Sequence, residues 1–171
     1  MKTLLALPLL LAAGLAGAES RTLPVPDQDW SLTFDTPPLV ERSSPDPAMH
    51  PLFLGGAGRL NVSAFAEAPR CPGPDTPDSV LTCFLASHKS NPTVDWSSTK
   101  TERLDADRVL FTWAARIPYN GRVYRQANAN VLFARKGRWV DVHLSYIEPT
   151  DDDVEQLARM ARTVKAADAA R

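Results

Sequence analysis

Three alternating segments joined by two tight-turn signals constrain the fold of this chain more than any other feature. Polar and apolar side chains alternate over residues 108–117, 123–133 and 139–147. Asn120-Gly121 separates the first two segments, and Lys136-Gly137 separates the last two. Asn-Gly between alternating runs is a strong signal for a two-residue hairpin, and the alternation indicates half-buried strands. The pattern therefore predicts an antiparallel meander.

Two-residue loops at both turns predict which residues face one another. Partner numbers then sum to 241 across the first hairpin and to 273 across the second. On one face of the second hairpin every predicted pair is apolar: Val131 with Val142, Phe133 with Val140, and Ala129 with Leu144. A slip of one residue would send each strand's apolar set to the other face, so this agreement supports the register.

Two helices are expected to cover the sheet. Thr150, three aspartates and an apolar stripe at helical spacing predict a C-terminal helix over residues 150–165. This helix is expected to pack against Val131, Val140, Val142 and Leu144. A second helix is predicted in the middle of the chain, over residues 80–88, with Pro77-Asp78-Ser79 opening it. The fold class is therefore α+β, a curved antiparallel sheet with a middle helix and a C-terminal helix packed on it.

The part of the chain before the middle helix is rich in proline. Eleven of the fifteen prolines lie between Pro24 and Pro77, which predicts irregular structure with short extended pieces. Strands are expected at residues 30–34, 52–54 and 60–66, the last two joined by a glycine-rich turn at 55–58. The same glycines resemble a phosphate-binding loop, but the lysine and the helix start that such a loop requires are missing. Residues 91–98 are expected to form a loop.

The start of the chain has the pattern of a secretory signal peptide. Lys2 precedes an apolar run over residues 4–15, and Ala16-Gly17-Ala18 matches a cleavage site. Residues 1–18 are therefore interpreted as a signal peptide, and residues 19–171 as a single α+β domain. The apolar run is shorter than the roughly 20 residues of a membrane span. We expect a periplasmic or secreted protein with no membrane anchor.

The net charge and the cysteine and histidine content indicate which partners, covalent links and cofactors to expect. Without residues 1–18 the chain has 18 basic and 20 acidic residues, a net charge of −2, which argues against nucleic acid as a partner. Cys71 and Cys83 are the only cysteines, and an even count in an exported chain indicates a disulfide. Two separate buried thiols are the alternative. The three histidines are scattered, so neither a metal site nor a cofactor is expected.

The sheet face opposite the apolar pairs is predicted to carry a polar and aromatic set of side chains. This set, called the polar–aromatic patch below, comprises Phe111, Trp113, Asn128, Asn130 and His143. Aromatic rings beside amides suit a binding interface. A solvated sheet face and ordinary core beneath the middle helix are the alternatives.

A hydrolase triad is the catalytic interpretation of the same face. Asp141, His143 and Ser145 have the required residue types, but side chains two apart on a strand stand about 6.6–6.8 Å apart and do not readily form a relay. No G-x-S-x-G elbow occurs in the sequence. We therefore assign no catalytic residues. Basic residues gather near the hairpins, where they could meet an acidic partner: Arg116, Arg122, Arg125, Arg135, Lys136 and Arg138.

The order of these elements resembles the PsbP/Mog1/DcrB-like group of small sandwich proteins. The resemblance covers about residues 29–165 and rests on the pattern of short strands, middle helix, meander and terminal helix. It implies a non-enzymatic binding or accessory role. The sequence thus predicts an exported binding or accessory protein whose partner is another envelope or secreted protein, a toxin-immunity protein being one form. A secreted hydrolase and a carrier of a small apolar ligand are the alternatives.

Overall fold

The computed structural model describes residues 17–168. The helices are α1, Pro77–His88, and α2, Asp151–Thr163. The strands are β1 Glu19–Pro24, β2 Trp30–Thr36, β3 Val40–Glu41, β4 Phe53–Ala57, β5 Leu60–Glu67, β6 Val94–Arg103, β7 Arg108–Tyr119, β8 Arg122–Arg135, β9 Arg138–Ile147 and β10 Lys165–Asp168. The predicted signal peptide, apart from its last two residues, lies outside the described residues, so it stays a prediction.

The strands form two antiparallel sheets. The large sheet has seven strands in the order β3-β4-β5-β9-β8-β7-β6, and the small sheet has three in the order β1-β2-β10. Both predicted hairpin registers are confirmed, since Phe111 pairs with Asn130 and Val131 with Val142. Each hairpin turns through two residues with positive φ, Asn120-Gly121 and Lys136-Gly137, as a primed two-residue turn requires. The predicted α+β class is confirmed.

One face of the large sheet, called the core face, carries the main hydrophobic core. Helix α2 and the small sheet both pack against it. Trp30 and Phe34 of β2 and Met160 of α2 are buried in one cluster with the apolar residues predicted to hold the helix: Val131, Val140, Val142 and Leu144. Thr150 caps α2 in a capping box with Asp153. The predicted packing of the C-terminal helix is therefore confirmed.

The opposite face of the large sheet, called the α1 face, carries the middle helix. Thr76 caps α1, and its hydroxyl accepts a hydrogen bond from the backbone N–H of Ser79. Val80 is buried against Phe111, Leu132 and Trp139. A disulfide between Cys71 and Cys83 ties the loop before α1 to the helix, with 5.9 Å between their Cα atoms. Helix α1 covers β7 and β8 and leaves the β4–β5 side of this face without a helix.

The glycine-rich turn lies later in the chain than predicted. Gly55 and Gly56 are buried within β4, and the chain reverses at Gly58, where φ is positive. A Cβ on Gly55 would lie 2.5 Å from the Phe53 ring, and a Cβ on Gly56 would lie 2.7 Å from the carbonyl oxygen of Leu60. These two glycines therefore permit close packing inside a strand instead of forming the turn.

Residues 91–98, expected as a loop, include the first part of β6. This strand pairs with β7 at the edge of the sheet, and its register shifts between Asp95 and Lys100. Most of its residues are polar and exposed, so hydrophobic alternation gives no signal there. The shorter strands β1, β3 and β10 were not predicted either. Backbone pairing with a neighbouring strand defines all of them.

Candidate functional site

The polar–aromatic patch is assembled as predicted but is largely covered. Its five residues lie on the α1 face in adjacent positions of β7, β8 and β9. Phe111, Asn128 and Asn130 are only 2–4% exposed, whereas Trp113 and His143 are half-buried. Phe84 of α1 meets Phe111 edge to face at 5.7 Å. Phe111 therefore belongs to the small core beneath α1, and Trp113 and His143 lie at its border.

The two buried asparagines link the patch through hydrogen bonds. Trp113 Nε1 donates to Asn130 Oδ1 at 2.8 Å, and Asn130 Nδ2 donates to Asp141 Oδ1 at 2.8 Å. His143 Nε2 lies 2.9 Å from Asn128 Oδ1. Because an amide oxygen only accepts, this contact places the proton of a neutral His143 on Nε2. Buried amides require such partners, so the network stabilises the closed arrangement of these side chains.

Burial shifts the two ionisable groups of this network in opposite directions. Desolvation raises the pKa of Asp141 to about 6, although the hydrogen bond from Asn130 opposes the shift. Desolvation lowers the pKa of His143 to about 4, and the Coulombic interaction with nearby His88 acts in the same direction. At neutral pH the site therefore holds a neutral imidazole beside a carboxylate.

The three residue types of a hydrolase triad do not form a relay here. Asp141 accepts from Asn130, and His143 donates to Asn128. Ser145 is buried, and its Oγ accepts from Gln126 Nε2 at 3.2 Å. Each of the three side chains thus bonds to an amide of β8 and not to another member of the set. Such an arrangement orients the amides and has no activated nucleophile.

His88 lies at this site, although the sequence analysis treated the three histidines as separate from one another. It stacks on Phe84 with ring centroids 4.2 Å apart, and its centroid lies 6.5 Å from that of Trp113. The Trp113 ring in turn stacks on His143 at 6.2 Å. Leu81, Phe84, Leu85 and His88 follow helical spacing on α1. That spacing is the signal that could have placed His88 on the covered side of the helix.

A groove on the core face was not predicted. It has a volume of about 420 Å³ and lies between α2 and strands β6, β7 and β8. Its walls include apolar residues of the sheet and of α2: Leu110, Ala114, Ala127, Ala129, Val154, Leu157 and Ala158. Val154 is 48% exposed although it belongs to the apolar stripe of the helix. The alanines leave the space that larger side chains would fill, and alanine repeats on a strand and a helix were the available signal.

Charged side chains line the mouth of this groove. Lys100 and Glu102 come from the edge strand β6, and Arg162 comes from the last turn of α2. Arg162 and Glu102 form an ion pair at 2.8 Å. Lys100 has no ion-pair partner among residues 17–168 and is exposed. The mouth therefore has one cation whose charge is not compensated by a neighbouring carboxylate.

Residues 17–168 contain neither a cluster of metal ligands nor a membrane-spanning helix. Within residues 17–168, no three histidine, cysteine or acidic side chains are grouped as metal ligands would be. Neither of the helices described here has the length and apolar composition needed to cross a bilayer.

Comparisons with known proteins do not establish a family. No family model and no curated protein matches the chain. Among solved structures, the chain is similar to LpqN, a protein involved in cell envelope biogenesis of Mycobacterium tuberculosis. The two are 18% identical, with a TM-score of 0.40 over 90% of this chain and 86% of that one. Likeness at this level does not show a shared function. The resemblance to the PsbP/Mog1/DcrB-like group stays a prediction.

Proposed function

We propose that this chain is an exported, non-enzymatic binding protein that carries a small apolar ligand in the groove beside α2. The observation that supports this function is the groove itself. Its volume of about 420 Å³ lies within the range of small-molecule sites, roughly 300–1,000 Å³. It opens between a helix and a sheet that are otherwise closely packed, as ligand sites commonly do.

The lining of the groove favours an apolar occupant. The alanines and leucines provide no hydrogen bonds, so water inside the groove is poorly held and easily displaced. A ligand would bury the exposed part of Val154 and the surfaces of Leu157 and Ala158. Each methylene group removed from water contributes about 0.8 kcal/mol. Burial of about ten methylenes would therefore contribute about 8 kcal/mol, which corresponds to binding in the micromolar range.

The mouth of the groove suggests which end group the ligand carries. Lys100 is the cation without an acidic partner at this opening, because Arg162 is paired with Glu102. A carboxylate or another anionic head would complement that charge. The proposed ligand class is therefore an amphiphile with an apolar chain and an acidic end.

Titration with a fluorescent fatty acid, dansylundecanoic acid, tests this function. Ala158→Leu adds apolar atoms to the groove from a half-buried helix position, so we expect the probe to bind about tenfold more weakly, a loss of about 1.4 kcal/mol. Ala86→Leu makes the same substitution at an exposed position of α1 and should leave binding unchanged. Both variants should retain the wild-type circular dichroism spectrum. Equal affinity in all three proteins would contradict a ligand site in the groove.

A protein partner is the second candidate, with toxin immunity as one form of it. The half-buried Trp113 and His143 favour it, because they border the part of the α1 face that neither α1 nor α2 covers. Two results together would favour this candidate. No fatty acid would bind, and the wild type would capture an envelope protein in stoichiometric amount that Trp113→Ala captures more weakly. A secreted hydrolase has less support, since Asp141, His143 and Ser145 each bond to β8 amides.

A further inference from the structure

The hairpin between β7 and β8 extends beyond the strands beside it. The β7–β8 ladder continues to the pair Tyr119 and Arg122. The flanking strands stop earlier, β6 at its pair with Ala115 and β9 at its pair with Gln126. Residues 116–125, called the hairpin tip, therefore form a two-stranded arm. At about 3.4 Å per residue, its three outermost pairs project about 10 Å from the sheet.

The hairpin tip exposes apolar side chains on both of its faces. Tyr119 is 64% exposed and Val123 is 62% exposed. Strand alternation places Tyr119 on the same side as Tyr124, and places Val123 beside Pro118 on the opposite side. A flat protein surface would cover one face of such an arm and leave the other in water. A medium that surrounds the arm is needed to bury both faces.

The hairpin tip is also positively charged on a chain with a net charge of −1. Residues 108–140 contain seven basic residues and no acidic residue. Arg116, Arg122 and Arg125 belong to the hairpin tip, and Arg125 lies 3.4 Å from Glu148. Among residues 17–168, Arg116 and Arg122 form no ion pair. The tip therefore complements an anionic surface.

We propose that the hairpin tip docks this protein on an anionic lipid bilayer. The interface of a bilayer surrounds an inserted arm and accommodates tyrosine rings, while arginines pair with anionic headgroups. The projection of about 10 Å matches the depth of roughly 5–10 Å at which interfacial segments lie. Docking of this kind is peripheral and separate from the ligand groove. It would bring a carrier of apolar molecules to the membrane where such molecules reside.

Co-sedimentation with lipid vesicles tests this proposal on the purified protein. We expect binding to vesicles of phosphatidylcholine and phosphatidylglycerol in a ratio of about 3:1, weakened by salt, and much less binding to phosphatidylcholine alone. Arg122→Gln should weaken binding about fivefold, the effect of one surface arginine. Arg138→Gln removes the same charge beside the opposite hairpin and should have no effect.

The apolar part of the proposal has its own matched pair of variants. Val123→Ser should weaken vesicle binding about fivefold or more, because it removes an inserted side chain. Val40→Ser changes a valine that is 71% exposed on another strand and should bind as the wild type does. Absence of vesicle binding would overturn the proposal, as would wild-type binding by both Val123→Ser and Arg122→Gln. Binding of polyglutamate through Arg122 without any binding of vesicles would overturn it in favour of an acidic protein partner.

Discussion

Asp141 and His143 occupy neighbouring positions of the same face of β9, and burial acts on them in opposite ways. The pKa of Asp141 is raised to about 6, and that of His143 is lowered to about 4. Each shift corresponds to at most roughly 3–4 kcal/mol, at about 1.4 kcal/mol per pKa unit. Both groups therefore contribute to stability in a pH-dependent manner, with opposite signs.

The pH dependence of stability should reveal these two contributions when they are separated. The contribution of protonated Asp141 is complete below pH 3.8 and is lost as the pH rises through about 6. The contribution of neutral His143 is complete above pH 6.5 and is lost as the pH falls through about 4. In Asp141→Asn only the contribution of His143 remains. Because the wild type gains the contribution of Asp141 as the pH falls, the free energy of unfolding of the variant should fall by up to about 3 kcal/mol relative to wild type between pH 6.5 and 4.

His143→Gln provides the opposite case with its own sign. Relative to wild type, its free energy of unfolding should rise as the pH falls from 6 towards 4, because only Asp141 then contributes. Urea unfolding of the three proteins at several pH values measures both differences. This interpretation of Asp141 and His143 is wrong if both variants show the pH profile of the wild type.

Helix α1 is the element whose position depends most on a covalent link. It packs on β7 and β8 through a small cluster that includes Val80, Phe111 and Trp139. The disulfide between Cys71 and Cys83, with a sequence separation of 12, joins it to the preceding loop. A small cluster supplies limited burial, so the link contributes a large part of the stability of this layer.

Removal of the disulfide should loosen α1 before the rest of the molecule. For the double variant Cys71→Ser and Cys83→Ser we expect the free energy of unfolding to fall by about 3 kcal/mol, the effect of releasing a loop of this length. Hydrogen exchange should accelerate in α1 and change little in α2, which packs on the other face. The reduced wild-type protein is the control and should behave in the same way. Uniform acceleration over both helices would contradict a local role.

The whole molecule is organised around the core face of the large sheet. Strand β2 of the small sheet, helix α2 and the central strands β8 and β9 contribute to one buried cluster. Strand β10 follows α2 directly and pairs with β2, so the helix and the small sheet are also linked through the chain. A substitution that disrupts the centre of this cluster should therefore destabilise both sheets together.

Val142→Asp is the variant that tests this shared core. Val142 is fully buried, so an aspartate there would bury a charge without a partner and should lower the free energy of unfolding by about 4 kcal/mol or more. Val40→Asp, at a position that is 71% exposed, should change it by no more than about 0.5 kcal/mol. Thermal unfolding compares the two variants. A wild-type melting temperature for Val142→Asp would contradict the packing of α2 on β8 and β9.

Elements with local signals could be predicted without the structure. Hairpin turns with residues in the left-handed region, alternation over more than eight residues, and the cap at Thr150 depend on neighbours in the chain. The same alternation assigned Phe111, Asn130 and His143 to one face and predicted their pairing. For these features, local geometry leaves few alternatives.

What covers each face of the large sheet depends on contacts between distant segments of the chain. Edge strand β6 and the short strands β1, β3 and β10 have no periodic signal, because backbone pairing with a distant segment forms them. The position of α1 over Phe111 placed that ring in a small core and brought His88 beside Trp113. The groove beside Ala158 exists because small residues from α2 and from the sheet meet there. Burial and cavities are properties of contacts between segments remote in sequence, so no local pattern determines them.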